Sequence, residues 1–423
     1  MKKPKIKTLE NGLRVLMVPS ESQSVMVQVL VNTGAQYETA QNNGISHFLE
    51  HMCFKGTTSR SGKEMMHFLD GLGCQTNAFT DEEITGYYIK SAKKHWKKTL
   101  AVVADIFQNP LFPVDEIERE KGVIIGEINM YADDPSSVTM DEFDALLYGD
   151  QPAGHTILGT PENIKNMTQD DFEEYHRSHY SANNSLVVVS GNLKTAEVIT
   201  AIEKEFSQLG ATKKIKKAKT KIKQDSARAL VVPKKTEQSH LVIGYPTVPM
   251  GHKDSMALTM LSVLLGGGMS SRLFEKVREE LGAGYYVYAS QFAYTDSGSL
   301  RVVAGIDSDR LVEVVSEIHG VLEDVVQNAI SEKELKKIRE YISGNFIMGL
   351  ESANAQAQFY AKQIMFDLED LTPRQFLQKM RHVTALDIRR VARKYLKSNK
   401  VNIVTVGPHE DKIKQGLLSV FEK

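Results

Sequence analysis

The stretch Gly44–Gly56, GISHFLEHMCFKG, places two imidazoles and a carboxylate within five consecutive residues. On an α-helix His47 and His51 stand one turn apart on the same face, and Glu50 lies on nearly the same stripe. Phe48, Leu49, Met52 and Phe54 cover the other sides, so such a helix is buried around its polar stripe. Buried imidazoles and a carboxylate need compensation, and a cation supplies it. Imidazole nitrogen combined with carboxylate oxygen suits Zn2+. The order H-x-x-E-H reverses the H-E-x-x-H zinc helix and keeps two ligands and one base on a common face. The competing reading is a polar stripe facing solvent that binds nothing.

A catalytic zinc takes three protein ligands plus water, and the third ligand comes from another element. The segment EREKGVIIGEINMYADDPSS offers Glu120 and Glu127, seven residues apart and therefore on one helical face. Cys53 points around the helix from the histidines and reads as packing. His67, His155, His176 and His179 have no matching ligand spacing and read as surface or helix-end residues.

The elements that must carry these groups occur twice. RVLMVPSESQSVMVQVLVNTG from Arg14 is echoed by RALVVPKKTEQSHLVIGYPTV from Arg228, an offset of 214 residues. MTQDDFEEYHRSHYSANNSLVVVSGN from Met167 is echoed by VTALDIRRVARKYLKSNKVNIVTVGP from Val383, an offset of 216. Two echoes at nearly one offset indicate duplicated halves of ordinary domain size. The expected segments are 1–208, a Lys-rich linker at 209–226, and 227–423. The linker carries seven lysines between Lys213 and Lys223 and reads as a solvated, self-repelling connector. In the second half Asn345 stands where Glu127 stands in the first, and the apolar LTMLSVLL replaces SHFLEH. Both metal-binding elements are missing together from one copy, as a shared site requires.

Within each half, β-rich runs such as VMVQVLVNTG, TGYYIKSA and SLVVVSGN alternate with longer segments of helical period. Gly73, Asn77 and TDEE read as the turn ahead of TGYYIKS. Hairpin-paired strands with helices on one face make an α+β fold of two homologous domains, each a mainly antiparallel sheet, and exclude a doubly wound parallel sheet.

The 423 residues are 41% apolar and 25% charged, with a formal net charge of −1. That composition is ordinary for a globular protein and offers no field for nucleic acid or an anionic membrane. Two cysteines exclude a disulfide framework and a thiolate zinc cluster, and fit a reducing compartment. The start shows no apolar signal region and no apolar run reaches the roughly 20 residues of a membrane span, so a cytoplasmic location is expected.

In combination these residues resemble the pitrilysin/insulinase-like zinc metallopeptidases, the inverzincins, in their two-domain processing-peptidase branch. The resemblance runs nearly the whole length. It rests on TLENGLRVLMVPS, on HFLEHMCFKGT with the glutamate of GEINMYADDPSS following after 75 intervening residues, on GCQTNAFTDEEITGYY, and on GGGMSSRLFEKVREELGAGYYVYAS. It implies that His47, His51 and Glu127 hold one Zn2+ per chain, that Glu50 is the general base, and that Glu120 orients a ligand histidine from behind. Arg278 and Tyr285 match the arginine–tyrosine pair of the metal-free domain, which binds the substrate carbonyl. The family's usual GLAYSV stands here as GAGYYV, which leaves Tyr286 as the alternative to Tyr285. Asn77 and Ala78 match the edge-strand segment along which the substrate peptide lies.

The expected function is zinc-dependent endopeptidase action on peptides or unfolded segments held in extended form inside a chamber. Because the chain carries both the zinc motif and the arginine–tyrosine pair, a homodimer is expected, with the zinc of one chain facing the pair of the other. The alternatives are a non-catalytic core subunit of the same fold and a peptide-binding chamber without turnover.

Overall fold

A computed structural model describes residues 4–422; residues 1–3 and 423, at the outer ends of the two expected halves, lie outside the described residues. The first sheet contains β1 (Lys5–Thr8), β2 (Arg14–Pro19), β3 (Ser24–Val31), β4 (Gln75–Thr80), β5 (Thr85–Ala92) and β6 (Ser185–Gly191), in the order β1-β2-β6-β3-β5-β4. The second contains β7 (Arg228–Pro233), β8 (Gln238–Pro246), β9 (Gly284–Ala293), β10 (Gly298–Asp307) and β11 (Asn402–Gly407), in the order β7-β11-β8-β10-β9. Apart from β1 the two orders are the same. In each sheet one pair, β2 with β6 and β7 with β11, is parallel and the others are antiparallel.

The duplication extends to register. Arg14 is opposite Leu186 in the first sheet and Arg228 opposite Asn402 in the second, positions related by the two sequence offsets. Leu30 opposite Leu186 is matched in the same way by Gly244 opposite Asn402. A one-residue slip would turn every side chain of a strand to the other face, so the repeated hydrophobic pattern preserves pairing as well as strand order.

The chain forms two compact units, each drawn from three segments. One comprises Met1–Asn129, His155–Ala218 and Gly349–Asp370; the other comprises Met130–Gly154, Lys219–Met348 and Leu371–Lys423. In the first unit Val15, Met17, Val27, Val29, Val187 and Val189 face the main core with helix Trp96–Gln108. The alternate residues Leu16, Val18, Met26, Leu30, Leu186 and Val188 form a second apolar layer, closed by Ala357, Tyr360, Ala361 and Met365 of helix Ala353–Met365. The second unit repeats the device, with helix Pro135–Tyr148 packing against β8 and β11. Central strands such as SLVVVSG are buried at every position, as strands covered on both faces must be. Each sheet therefore has one additional helix on the face opposite its main helical layer.

A buried ion pair fixes the additional helix of the second unit. The Arg301 guanidinium, fully buried, makes a two-pronged contact with Asp144 and lies 4.6 Å from the ring centroid of Phe143 and 4.3 Å from that of Phe292. Planar, forked donation to a carboxylate and stacking on aromatic faces are what distinguish arginine from lysine.

Three local expectations need correcting. Asn77 is within strand β4, opposite Tyr88, where cross-strand pairing overrides the weak strand preference of asparagine; Gly73, at φ 64°, lies in the turn ahead of the strand, and the hairpin turn follows Thr80. The linker is not wholly solvated, because Lys217 is paired with buried Glu83 at 2.7 Å and donates to Gln36 at 2.5 Å. His176 and His179 stand in the last turn of helix Gln169–His179, as expected of helix-end residues, but they are not exposed at the surface. His179 is buried and stacked on Tyr175, and Nε2 of His176 donates to the Phe107 carbonyl at 2.8 Å. Among the described residues no helix is long and apolar enough to cross a membrane.

Burial pushes His176 down to about 4, even though its hydrogen bond to Phe107 acts in the opposite direction. Between that value and the ordinary imidazole range near 6.5 the unfolded chain binds more protons than the folded one. The stability this group contributes is therefore complete above about pH 6.5 and is lost as the pH falls toward 4. Urea unfolding at about pH 7.5 and about pH 5 is expected to show a smaller loss on acidification for His176→Gln than for the unmodified protein.

Candidate active site

The helix Ile45–Met52 starts at Gly44, whose φ is 100°, without a side-chain cap of its own. Its first amides are met from outside by Glu38, a buried carboxylate that accepts from the Gly44 and Ser46 amides at 2.8 Å each and from Asn43 Nδ2 at 2.9 Å. A carboxylate at this end of the helix also complements the macrodipole. Burial nonetheless raises the Glu38 pKa against the pull of those hydrogen bonds. Ser46 and Thr33 each hydrogen-bond the Tyr175 hydroxyl, at 2.8 and 2.7 Å, which secures the same end from below. A Cβ on Gly44 would meet the Leu158 carbonyl at 2.7 Å, so both the backbone angle and the available space require glycine.

Phe48, Leu49, Met52 and Cys53 of this segment are fully buried. The Cys53 sulfur contacts the Tyr87 hydroxyl at 3.5 Å, and burial pushes the thiol up to about 12, as expected of a packing cysteine. The polar stripe faces helix Val114–Asp133. There Ile117, Glu120 and Ile124 are the buried residues, and Glu127 continues the same three- and four-residue stripe.

His47 Nε2 is 3.7 Å and His51 Nε2 3.9 Å from Glu127 Oε2. One ligand atom from each of the three residues lies within 4.8 Å of the others, the only such group found among the described residues. Two imidazole nitrogens and one carboxylate oxygen make a donor set suited to Zn2+ with a position left open. Burial, reinforced by His51, holds His47 down at about 4, so its ring is neutral, as a ligand must be.

Around this trio stand groups that orient it. His51 Nδ1 donates to Glu120 Oε1 at 2.9 Å, and the other Glu120 oxygen is paired with Lys55. Burial would raise the Glu120 pKa, but His51 and Lys55 outweigh it and hold the carboxyl below its usual range. At His51 burial favours the neutral ring, and the Glu120 hydrogen bond with the charges of Glu120, Glu50 and Glu127 overcomes it and raises the pKa. Burial raises the Glu50 pKa, opposed by a 2.6 Å hydrogen bond from Thr80 Oγ1 and by His51, and supported by Glu127.

Glu50, His51, Glu120, Asn77 and Ala78 border one open cleft of about 590 Å³, with Phe54, Lys63 and Met66 along its wall. Asn77 and Ala78 belong to β4, the terminal strand of its sheet, which has a partner on one side only. Arg278 and Tyr285 belong to the second unit. Arg278 is exposed in a π-helical turn, Phe274–Glu280, and its guanidinium donates to the Tyr285 carbonyl. Tyr285 is 59% exposed, whereas the Tyr286 hydroxyl is bound to His240 Nδ1 at 2.9 Å.

Glu38, Lys55 and Thr80 were not singled out in the sequence. Lys55 lies one helical turn beyond His51, a spacing that could have identified it. Glu38 and Thr80 reach the helix from loop and strand and leave no periodic signal.

Residues 14–161 match the family model described as insulinase (peptidase family M16), and residues 166–342 match the peptidase M16 inactive domain. An uncharacterized zinc protease of Bacillus subtilis, YmxG, is 36% identical over 82% of this chain and 85% of its own length. The chain belongs to the insulinase (M16) peptidase family. Another M16 relative, an uncharacterized zinc protease of Streptomyces coelicolor, is 30% identical over 96% of this chain and 90% of its own. A crystal structure of a protease from Helicobacter pylori superposes with a TM-score of 0.90 at 28% identity, covering 96% of this chain and all of that one.

Gly44→Ala is expected to destabilise the protein by about 1–3 kcal/mol, because the left-handed backbone and the Leu158 carbonyl both oppose a side chain. Gly71→Ala, in open helical space, is the control and is expected to be neutral or slightly stabilising in the same urea titration.

Proposed function

We propose that this chain is a zinc-dependent endopeptidase acting on peptides or unfolded segments held in extended form. The observation that carries the reading is the meeting of His47, His51 and Glu127 beside Glu50, at one end of a free strand edge. His47, His51 and Glu127 would hold the zinc, and Glu120, itself held by Lys55, would fix the His51 ring so that Nε2 faces the metal. The bound metal would supply a water acidic enough to attack near neutral pH and a Lewis-acid contact for the scissile carbonyl.

Glu50 would take the proton of the attacking water and return it to the leaving amine. Its burial raises its basicity toward that task. A peptide laid along the outer edge of β4 at Asn77 and Ala78 would add a strand to the sheet. Main-chain hydrogen bonds would then carry much of the affinity and leave sequence preference loose. Arg278 and the exposed Tyr285 hydroxyl, rather than Tyr286 with its His240 bond, would donate to the carbonyl oxygen as negative charge develops there.

Glu50→Gln is expected to lower kcat on an unstructured peptide by at least about 10²–10⁴-fold, while zinc stays near about one per chain by elemental analysis. Normal cleavage by this variant would remove Glu50 from the role of base.

We further propose a homodimer in which the Arg278–Tyr285 pair of one chain serves the Glu50 site of the other. Glu50→Gln and Arg278→Ala are each expected to be inactive alone. Mixed after dissociation and reassociation, they would form dimers with one intact site and recover about a quarter of full activity. A mixture as inactive as its components would exclude shared sites.

A further inference from the structure

Thr80 is the last residue of β4, the strand whose outer edge carries Asn77 and Ala78. Its hydroxyl leaves the sheet toward the helix Ile45–Met52 and donates to Glu50 Oε2 at 2.6 Å, with the Ser46 carbonyl of the same helix 3.5 Å away. The strand is stiff at this point. Thr80 pairs with Thr85, and the Asp81 amide donates to the Ile84 carbonyl at 2.8 Å, closing the β4–β5 hairpin immediately beyond it. A threonine side chain has little χ1 freedom in a strand, so the direction of the donated bond is set by the backbone. Glu50 is a long side chain, and among the described residues no other protein hydrogen bond fixes its carboxylate plane.

From this geometry we infer that Thr80 is the positioning residue for Glu50: its hydroxyl holds one carboxylate oxygen and leaves the other turned into the cleft for the attacking water. This inference rests on Glu50 acting as the base. It adds a physical link between binding and chemistry. The strand that would receive the peptide along its edge is the one whose final side chain aligns the base, so pairing on β4 and orientation of Glu50 share one rigid element. A short, charge-accepting hydrogen bond of this kind is among the stronger ones available to a neutral donor, and misplacement of a reacting group by about 1 Å is enough to lower a rate about 10²-fold.

The test is Thr80→Val, which keeps the branched shape and removes the donor, alongside Thr80→Ser, which keeps the donor. On an unstructured peptide, Thr80→Val is expected to lower kcat about 10- to 100-fold with KM and zinc content unchanged, and Thr80→Ser is expected to recover most of the loss. In a Glu50→Gln background, Thr80→Val should produce no further fall, because the group it positions is already gone. The inference is overturned if Thr80→Val cleaves normally while Glu50→Gln does not, or if its loss lies in KM or zinc content. It is also overturned if Thr80→Ser is as impaired as Thr80→Val. If Glu50→Gln itself cleaves normally, the assignment of the base fails first, and the inference fails with it.

Discussion

Putting two imidazoles and a carboxylate on a helix whose other residues, Ser46 apart, are apolar creates a large desolvation penalty, and the surroundings of that helix answer it. Partners from different parts of the chain approach its polar groups, although the buried Nδ1 of His47 has no hydrogen-bond partner. Glu38 takes the first amides, Glu127 approaches both His47 and His51, Glu120 accepts from His51, and Thr80 donates to Glu50. Lys55 closes the set by pairing with Glu120. A buried group without such partners would cost several kcal/mol, so helix, strand end and long second helix are mutually constrained. Of these groups Glu50, His51 and Glu120 border the open cleft.

The second unit shows what happens when that requirement is lifted. Helix Ser255–Gly266 packs against β9 as helix Ile45–Met52 packs against β4, yet it carries an almost uninterrupted apolar sequence and is largely buried. Without ionisable groups on its helix this unit needs no acidic stripe opposite, and Asn345 occupies the position of Glu127. Its exposed functional candidates, Arg278 and Tyr285, lie instead on a π-helical turn and the start of a terminal strand. Irregular turns of this kind commonly mark functional positions because they aim a side chain that a regular helix could not.

Each sheet is closed on its second face by a single helix, Ala353–Met365 in one unit and Pro135–Tyr148 in the other. Pro135–Tyr148 directly follows the helix that ends at Asp133 and carries Glu120 and Glu127. Within the second unit the Arg301–Asp144 pair anchors helix Pro135–Tyr148. It ties the helix to β10 of its own sheet, Arg301 being a residue of that strand.

The local pattern was sufficient to place His47, Glu50 and His51 on one helical stripe, because a 3.6-residue period is a property of the backbone alone. Likewise the two offsets of 214 and 216 already related the strands of one half to those of the other, and a one-residue slip would turn every side chain to the opposite face. Helical period also put Glu120 and Glu127 on a common face, but it could not say which oxygen meets which nitrogen. That was decided by tertiary structure, which sets Glu127 against both Nε2 atoms and Glu120 against Nδ1 of His51. Nor could any period reveal Glu38 or Thr80. They act through single long-range contacts, and such contacts exist only once loop, strand and helix are packed together.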